Sequence, residues 1–220
     1  MPTSSTEGLP VLFQDDFIVA VNKPPGVPSQ PDATGDPDAM VLTGMRGLRL
    51  VHRLDRPVGG VLLFARDEES LRSLNEAFAQ RRVRKRYRAI VEGPWQGPGL
   101  LEHWLVHDAN ARRARVVQPG RKGGFPARLQ VQVLATGERY TLLEVVPEEG
   151  RFHQIRSQLA ASGNPIKGDV KYGARRGEAD RSISLHAWRI ELEHPALGGT
   201  LVIEAPVPAT GLWSRLQPGA

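Results

Sequence analysis

The spacing of apolar residues divides the chain into many short strands and few helices. Leu12 to Asn22 reads as a strand or hairpin closed by Pro24-Pro25-Gly26, and Pro28 to Pro37 follows as a polar, proline-rich loop. Val61 to Ala65 is a continuous apolar run, the pattern of a buried strand. From Asp67 to Gln80 the period lengthens to that of a helix, with Asp67 placed to cap it and Leu71, Leu74 and Phe78 on its inner face. Val83 to Val91 alternates at period two, which puts Arg84, Arg86 and Arg88 on one face and Lys85, Tyr87 and Ala89 on the other. Leu100 to Val106, Ala114 to Val117, Ala127 to Leu134 and Tyr140 to Val146 are further strands. Phe152, Ile155 and Leu159 then recur at helical spacing in a short helix that Gly163 ends and Pro165 cannot continue. Strands near Ser182 to Leu192 and Thr200 to Ile203 complete the series. Strands outnumber helices, which predicts an α+β domain built on a mixed, largely antiparallel central sheet. With no internal repeat and no shift of composition, one domain is expected over residues 11–220, behind a small, polar, flexible tail of residues 1–10.

Composition narrows the function. The absence of cysteine excludes disulfides, thiolate catalysis and cysteine metal sites, and suits the reducing cytoplasm, where the protein is expected. No apolar run has the length of a membrane span, and the first residues lack the basic start and apolar middle of a secretory signal. A formal net charge of +5 and a pI near 10 favour a polyanionic partner. The basic residues are concentrated in Arg81 to Arg86, in Arg112-Arg113-Ala114-Arg115 and in Arg175-Arg176. These stretches lie within apolar-periodic segments, so they predict a folded basic surface rather than a disordered tail.

Three segments carry candidate chemistry. His52-Arg53-Leu54-Asp55-Arg56-Pro57-Val58-Gly59-Gly60 sets one carboxylate between arginines on a shaped turn that enters a buried strand. The flanking cations favour the charged form of Asp55 and burial opposes it, although an ordinary surface turn with an Asp–Arg ion pair has the same sequence. In Arg84 to Val91 the arginine face suits phosphates and the Tyr87 ring suits a base, while a solvated charged face with a core tyrosine fits equally. In the third, His153 and Arg156 project together from the first turn of a helix, and Arg156 has the planar fork that grips a carboxylate with two parallel hydrogen bonds. His103 and His107 have the spacing of a helical zinc pair, but Trp104-Leu105-Val106 reads as strand and no third ligand is evident, so no metal is expected. There is no Walker-type phosphate loop and no nucleophile elbow.

Taken in order, these blocks resemble the RluA family of RNA pseudouridine synthases. The His52–Asp55 block looks like the family's aspartate motif, Lys85-Arg86-Tyr87 like its tyrosine motif, and His153-Gln154-Ile155-Arg156 like its arginine motif. Val19 to Gly26, Leu185-His186-Ala187 and His194-Pro195 add to the likeness, which spans about Leu12 to about Pro206. One departure stands out: Val58-Gly59-Gly60 occupies the place where the family usually has Thr-Ser-Gly.

The resemblance implies the pseudouridine synthase fold, with a cleft across the sheet, and an isomerase that turns specific uridines of rRNA or tRNA into pseudouridine. It leaves no room for the small S4-like RNA-binding domain that many relatives carry in front. It assigns Asp55 as the essential residue, acting at the ribose C1′ region either as a nucleophile or by taking a sugar proton to give a glycal. Arg156 would hold Asp55 in a buried ion pair, Tyr87 would lie against the uracil, and Arg53 would fill the space left by the flipped nucleotide. His52, His153, Arg84, Arg86 and Arg88 complete the expected RNA contacts. The isomerisation involves no net oxidation, so no cofactor is expected, and the enzyme is expected to act as a monomer. The alternative is a non-catalytic RNA-binding or RNA-folding module, which the basic surface alone would support.

Overall fold

A computed structural model describes residues 8–216. Within them the alternating segments become β1 (Val11–Gln14), β2 (Ile18–Lys23), β3 (Arg49–Leu50), β4 (Gly59–Ala65), β5 (Arg84–Glu92), β6 (Leu100–Asp108), β7 (Arg113–Val117), β8 (Phe125–Thr136), β9 (Tyr140–Pro147), β10 (Leu185–Glu193) and β11 (Thr200–Glu204). The helices are α1 (Ala39–Leu42), α2 (Glu68–Ala79), α3 (Gln154–Ala161) and α4 (Leu212–Arg215), with a 3-10 turn at Val170–Tyr172. Two short helices, α1 and α4, and the two-residue β3 carry too little periodicity to be read from sequence. None of the described helices is long and apolar enough to cross a membrane.

The strands form one sheet with the main order β1-β2-β4-β10-β5-β9-β8-β6-β7, while β11 pairs with β10 and β3 with β4. All pairs are antiparallel except β4 with β10. That single parallel contact is close: a Cβ built on Gly60 would lie 2.2 Å from the Ala187 carbonyl oxygen, so only glycine fits there. The mixed, largely antiparallel α+β architecture is thus the one the alternation predicts.

One face of the sheet carries Val19, Leu62, Ala89, Leu143 and Ala187, covered by Ile155 and Leu159 of α3. On the other face, Ile18, Ala20 and Leu63 pack with Leu74 and Ala77 of α2, and Ile90 and Leu142 pack with Leu216. Each fully buried Leu, Ile or Phe contributes about 1.5–3 kcal/mol, so the two layers lock the register of every central strand. Asp67 caps α2 as its position predicts, accepting the Ser70 N–H at 2.7 Å, and Glu68 and Glu69 in the first turn complement the helix dipole.

Of the expected flexible tail, residues 1–7 lie outside the described residues. Leu9, at its inner end, donates its N–H to the Leu42 carbonyl at 3.2 Å and packs on the core. The Pro28 to Pro37 loop folds around one side chain: Arg56 donates to Asp32, Thr34 and Asp36 and, through Nε, to the Gly26 carbonyl at 2.8 Å.

Candidate active site

The Asp55 turn sits at the entry to β4 and is held mostly through its main chain. Val58 N–H bonds the Asp55 carbonyl at 2.9 Å, closing the turn. Ser29 braces the preceding residue twice, its hydroxyl donating to the Leu54 carbonyl at 2.9 Å and accepting from the Leu54 N–H at 3.0 Å. Beneath the turn lies Lys23, fully buried at the end of β2. Its ammonium donates to the carbonyls of Pro24 (3.0 Å), Val27 (2.8 Å) and Arg56 (3.3 Å), tying the Pro24–Val27 turn to the Asp55 turn. Burial pushes Lys23 down to about 7, against the pull of the Asp55 charge. Val58 is buried in the core, 2 % exposed, so the side chain standing where the family usually has a threonine contributes apolar packing instead of a hydroxyl. Gly59 is equally enclosed: an added Cβ would lie 3.1 Å from the Pro25 ring and 3.2 Å from the Lys23 carbonyl.

From α3, Arg156 reaches across to this turn. Its Nη1 donates to Asp55 Oδ2 at 3.0 Å. The two parallel bonds expected from its fork go elsewhere, to Asp169: Nε to Oδ2 at 2.7 Å and Nη2 to Oδ1 at 2.8 Å. The carboxylate that the fork grips with two bonds is thus Asp169, and Asp55 receives one. Burial works against the Arg156 charge, but the bonds and charge of Asp169, with those of Asp55, hold it above the ordinary arginine value. The Arg156 plane also lies over the Tyr172 ring at 5.1 Å.

His153 enters α3 in the left-handed region (φ 50°), which aims its ring back at Arg156 and Asp55. Burial lowers His153 to about 4, so its ring is neutral near pH 7. Its Nε2 lies 3.0 Å from Arg156 Nη1, a donor, so Nε2 accepts and Nδ1 carries the proton toward Tyr172 Oη at 2.9 Å. Tyr172 Oη also accepts the Ala114 N–H of β7 at 2.7 Å, and burial pushes the phenol up to about 12. Tyr87 faces the same side of the sheet from β5, partly buried on the core cluster. Burial, and then the Asp55 charge, raise its phenol well above the ordinary tyrosine value, so it stays neutral.

The arrangement is a carboxylate held by one arginine, beside a neutral histidine and a neutral tyrosine. The family model described as RNA pseudouridylate synthase matches residues 17–161, which include the Asp55 turn, Tyr87 and Arg156.

The chain belongs to the RNA pseudouridylate synthase family.

It is similar to the tRNA pseudouridine synthase C of Salmonella typhimurium, at 36 % identity over 235 residues, covering 96 % of this chain and 90 % of that one. It is also 35 % identical over 223 residues to the ribosomal large subunit pseudouridine synthase C of Escherichia coli, covering 90 % of this chain and 66 % of that one. Among solved structures, human RNA pseudouridylate synthase domain containing 4 superposes with a TM-score of 0.73 at 27 % identity over 93 % of this chain and 91 % of that one. Human RNA pseudouridylate synthase domain containing 1 shares the fold, with a TM-score of 0.78 at 24 % identity, covering 99 % of this chain and 91 % of that one. The protein is therefore an RNA pseudouridine synthase, an isomerase with RNA as substrate, and the non-catalytic alternative falls away.

Within this RNA pseudouridylate synthase, the sequence-predicted residues divide into two groups. Asp55, Tyr87, His153 and Arg156 meet at one place. Arg53, two residues before Asp55, is exposed. His52, expected as an RNA contact, is engaged within the protein: its Nε2 accepts the Leu63 N–H of β4 at 3.2 Å and its ring stacks on Phe78 at 5.2 Å. Arg86 and Arg88, also expected as RNA contacts, are engaged within the protein. They lie on the opposite face of β5 from Tyr87, Arg86 paired with Glu144 at 2.6 Å and Arg88 stacked 4.6 Å over Trp188. Arg84 shares that opposite face and is exposed. β5 is an interior strand, so neighbouring strands supply partners for arginines that sequence alone leaves free.

Three members of the site escaped the sequence reading: Lys23, Asp169 and Tyr172. Lys23 and Asp169 bore a signal, a charged residue directly beside a glycine- or proline-rich turn, but their burial depends on chain segments far away. His103 and His107 lie on strand β6 as expected, His103 beside the Gln158 amide at 3.3 Å and His107 against Phe152 at 4.3 Å.

Proposed function

We propose that Asp55 is the catalytic carboxylate and that Arg156, Asp169 and His153 hold it in place. One observation carries this assignment. Arg156 touches two carboxylates; the Asp169 side chain is 1 % exposed, whereas that of Asp55 is 26 % exposed and open to the cleft. Only Asp55 can meet a substrate. Forming pseudouridine breaks the bond from C1′ to N1, turns the uracil, forms a bond from C1′ to C5, and moves a proton from C5 to N1. Asp55 acts at the first step, either by attacking C1′ or by taking a sugar proton to give a glycal. The Arg156 hydrogen bond at 3.0 Å fixes one of its oxygens for both.

Tyr87 lies where the uracil must sit. Because it is neutral, its ring supplies a stacking surface and its hydroxyl a hydrogen-bond donor, rather than an anionic base. Arg53 is placed to occupy the gap left by the extruded nucleotide, whose unstacking costs a few kcal/mol. The names of the similar proteins point to tRNA or large-subunit ribosomal RNA as the substrate. One catalytic domain suffices for this chemistry, acting as a monomer in the cytoplasm, in keeping with a cysteine-free chain of net charge +5.

The test is incubation of the protein, and of Asp55→Asn, with tRNA and ribosomal RNA from a strain lacking the gene, followed by chemical mapping of pseudouridine. New pseudouridine at one or a few positions with the wild type, and none with Asp55→Asn, is the expected result. Turnover by a clean Asp55→Asn preparation would sink the assignment.

A further inference from the structure

Beside the Asp55 cleft lies a second cavity of about 250 Å³, lined by Phe78, Arg81, Lys85, Glu148, Glu149 and Arg151, among others. Two of the segments that line it, β5 and the chain before α3, run on into the cleft. Lys85 precedes Tyr87 by two residues on the same face of β5, so the two side chains stand roughly 7 Å apart along the strand. Arg151 leads directly into His153 and α3.

The chemistry of this cavity is that of an anion site. Lys85 is partly buried, and its ammonium has one long hydrogen bond, to the Glu149 carbonyl at 3.4 Å. An ammonium has three donors, so two remain to be satisfied inside the cavity. The nearby acids do not supply them. Glu148 pairs with Arg128 at 2.9 Å, and Glu149 accepts the Arg128 N–H at 2.7 Å and meets Arg81 at 3.5 Å. Desolvation lowers the Lys85 pKa, against the pull of the Glu149 charge. At the rim, the exposed Arg151 lies over the Phe125 ring at 4.9 Å.

We propose that this cavity binds a phosphodiester group of the substrate RNA next to the nucleotide that enters the Asp55 cleft, with Lys85 as its inner ligand and Arg81 and Arg151 at its rim. The inference rests on the cleft being the uridine site. It moves the phosphate-tracking role from the arginine face of β5 to the opposite face, where the cleft is.

The test uses binding rather than turnover, so its failure is separable from a failure of the Asp55 assignment. The Asp55→Asn protein is titrated with tRNA and ribosomal RNA from a strain lacking the gene at several salt concentrations. Adding Lys85→Gln should weaken binding several-fold and lower the slope of log affinity against log salt by about 0.7–0.9, the loss of one phosphate contact. Lys85→Arg should keep the slope, and Arg84→Gln, on the far face, should leave it unchanged. Should Lys85→Gln fail to fold, acylation of the wild-type lysines decides: RNA should protect Lys85 and spare the exposed Lys122. A slope unchanged in Lys85→Gln, an equal drop in Arg84→Gln, or acylation of Lys85 undiminished by RNA would overturn the proposal.

Discussion

Arg156 binds two carboxylates unequally: two bonds of 2.7 and 2.8 Å go to Asp169 and one of 3.0 Å goes to Asp55. The stronger grip falls on the buried partner, which leaves Asp55 with one oxygen tethered and the rest of its carboxylate free to react. A bidentate grip on Asp55 would have occupied the atoms the reaction needs.

This inequality predicts different costs for two similar substitutions. Asp169→Asn leaves the Arg156 charge buried with too few acceptors and should cost about 3–5 kcal/mol. The melting temperature should fall by on the order of 10 °C. Asp55→Asn removes a single contact at a partly open position and should change stability by no more than about 1 kcal/mol while abolishing turnover. Thermal unfolding of both variants checks this, and equal losses would contradict the division of labour.

Tyr87 should act through its ring. With a neutral hydroxyl, Tyr87→Phe keeps the stacking surface and should retain much of the single-turnover rate at saturating RNA, whereas Tyr87→Ala should lose it. Both should leave the salt dependence of binding unchanged, since neither alters a charge. A Phe variant as slow as the Ala variant would assign proton transfer to the hydroxyl.

Buried histidines set the acid limit of the fold. Burial lowers His52 to about 3 and both His153 and His186 to about 4. Between pH 6.5 and these values the unfolded chain binds protons that the folded chain does not, so stability is fully present above pH 6.5 and is lost as the pH falls. Each such histidine steepens the fall by up to about 1.4 kcal/mol per pH unit. Urea unfolding from pH 7 to pH 4.5 should show this loss, and His186→Gln should remove one proton's share of the slope.

Gly60→Ala should be among the most damaging single changes, because its Cβ would collide with the Ala187 carbonyl oxygen at 2.2 Å and φ is +118°. Several kcal/mol should be lost as the β4–β10 pair is forced apart. Val58→Thr, which restores the family's usual hydroxyl in a site that is 2 % exposed, should cost about 1–3 kcal/mol unless the hydroxyl finds an acceptor. Urea midpoints of the two variants give the comparison.

Periodicity along the chain was enough to determine the strands other than β3, α2 with its Asp67 cap, the α+β class and the short helix after Phe152, because those patterns are local and are set by which side of one element meets the core. The aspartate, tyrosine and arginine motifs were legible for the same reason, as residue types at short fixed spacings. Tertiary structure alone decided which of these residues meet. Asp55 and Arg156 stand 101 residues apart, and their bond exists only because β4 and α3 converge on one sheet. Asp169 took the strong bonds because the chain after α3 turns back beneath Arg156, and Glu144 and Trp188 occupied Arg86 and Arg88 because β5 lies inside the sheet between β9 and β10. A charged side chain shows in sequence as a charge; whether it faces water, RNA or a buried partner depends on strands that pair with it from far along the chain.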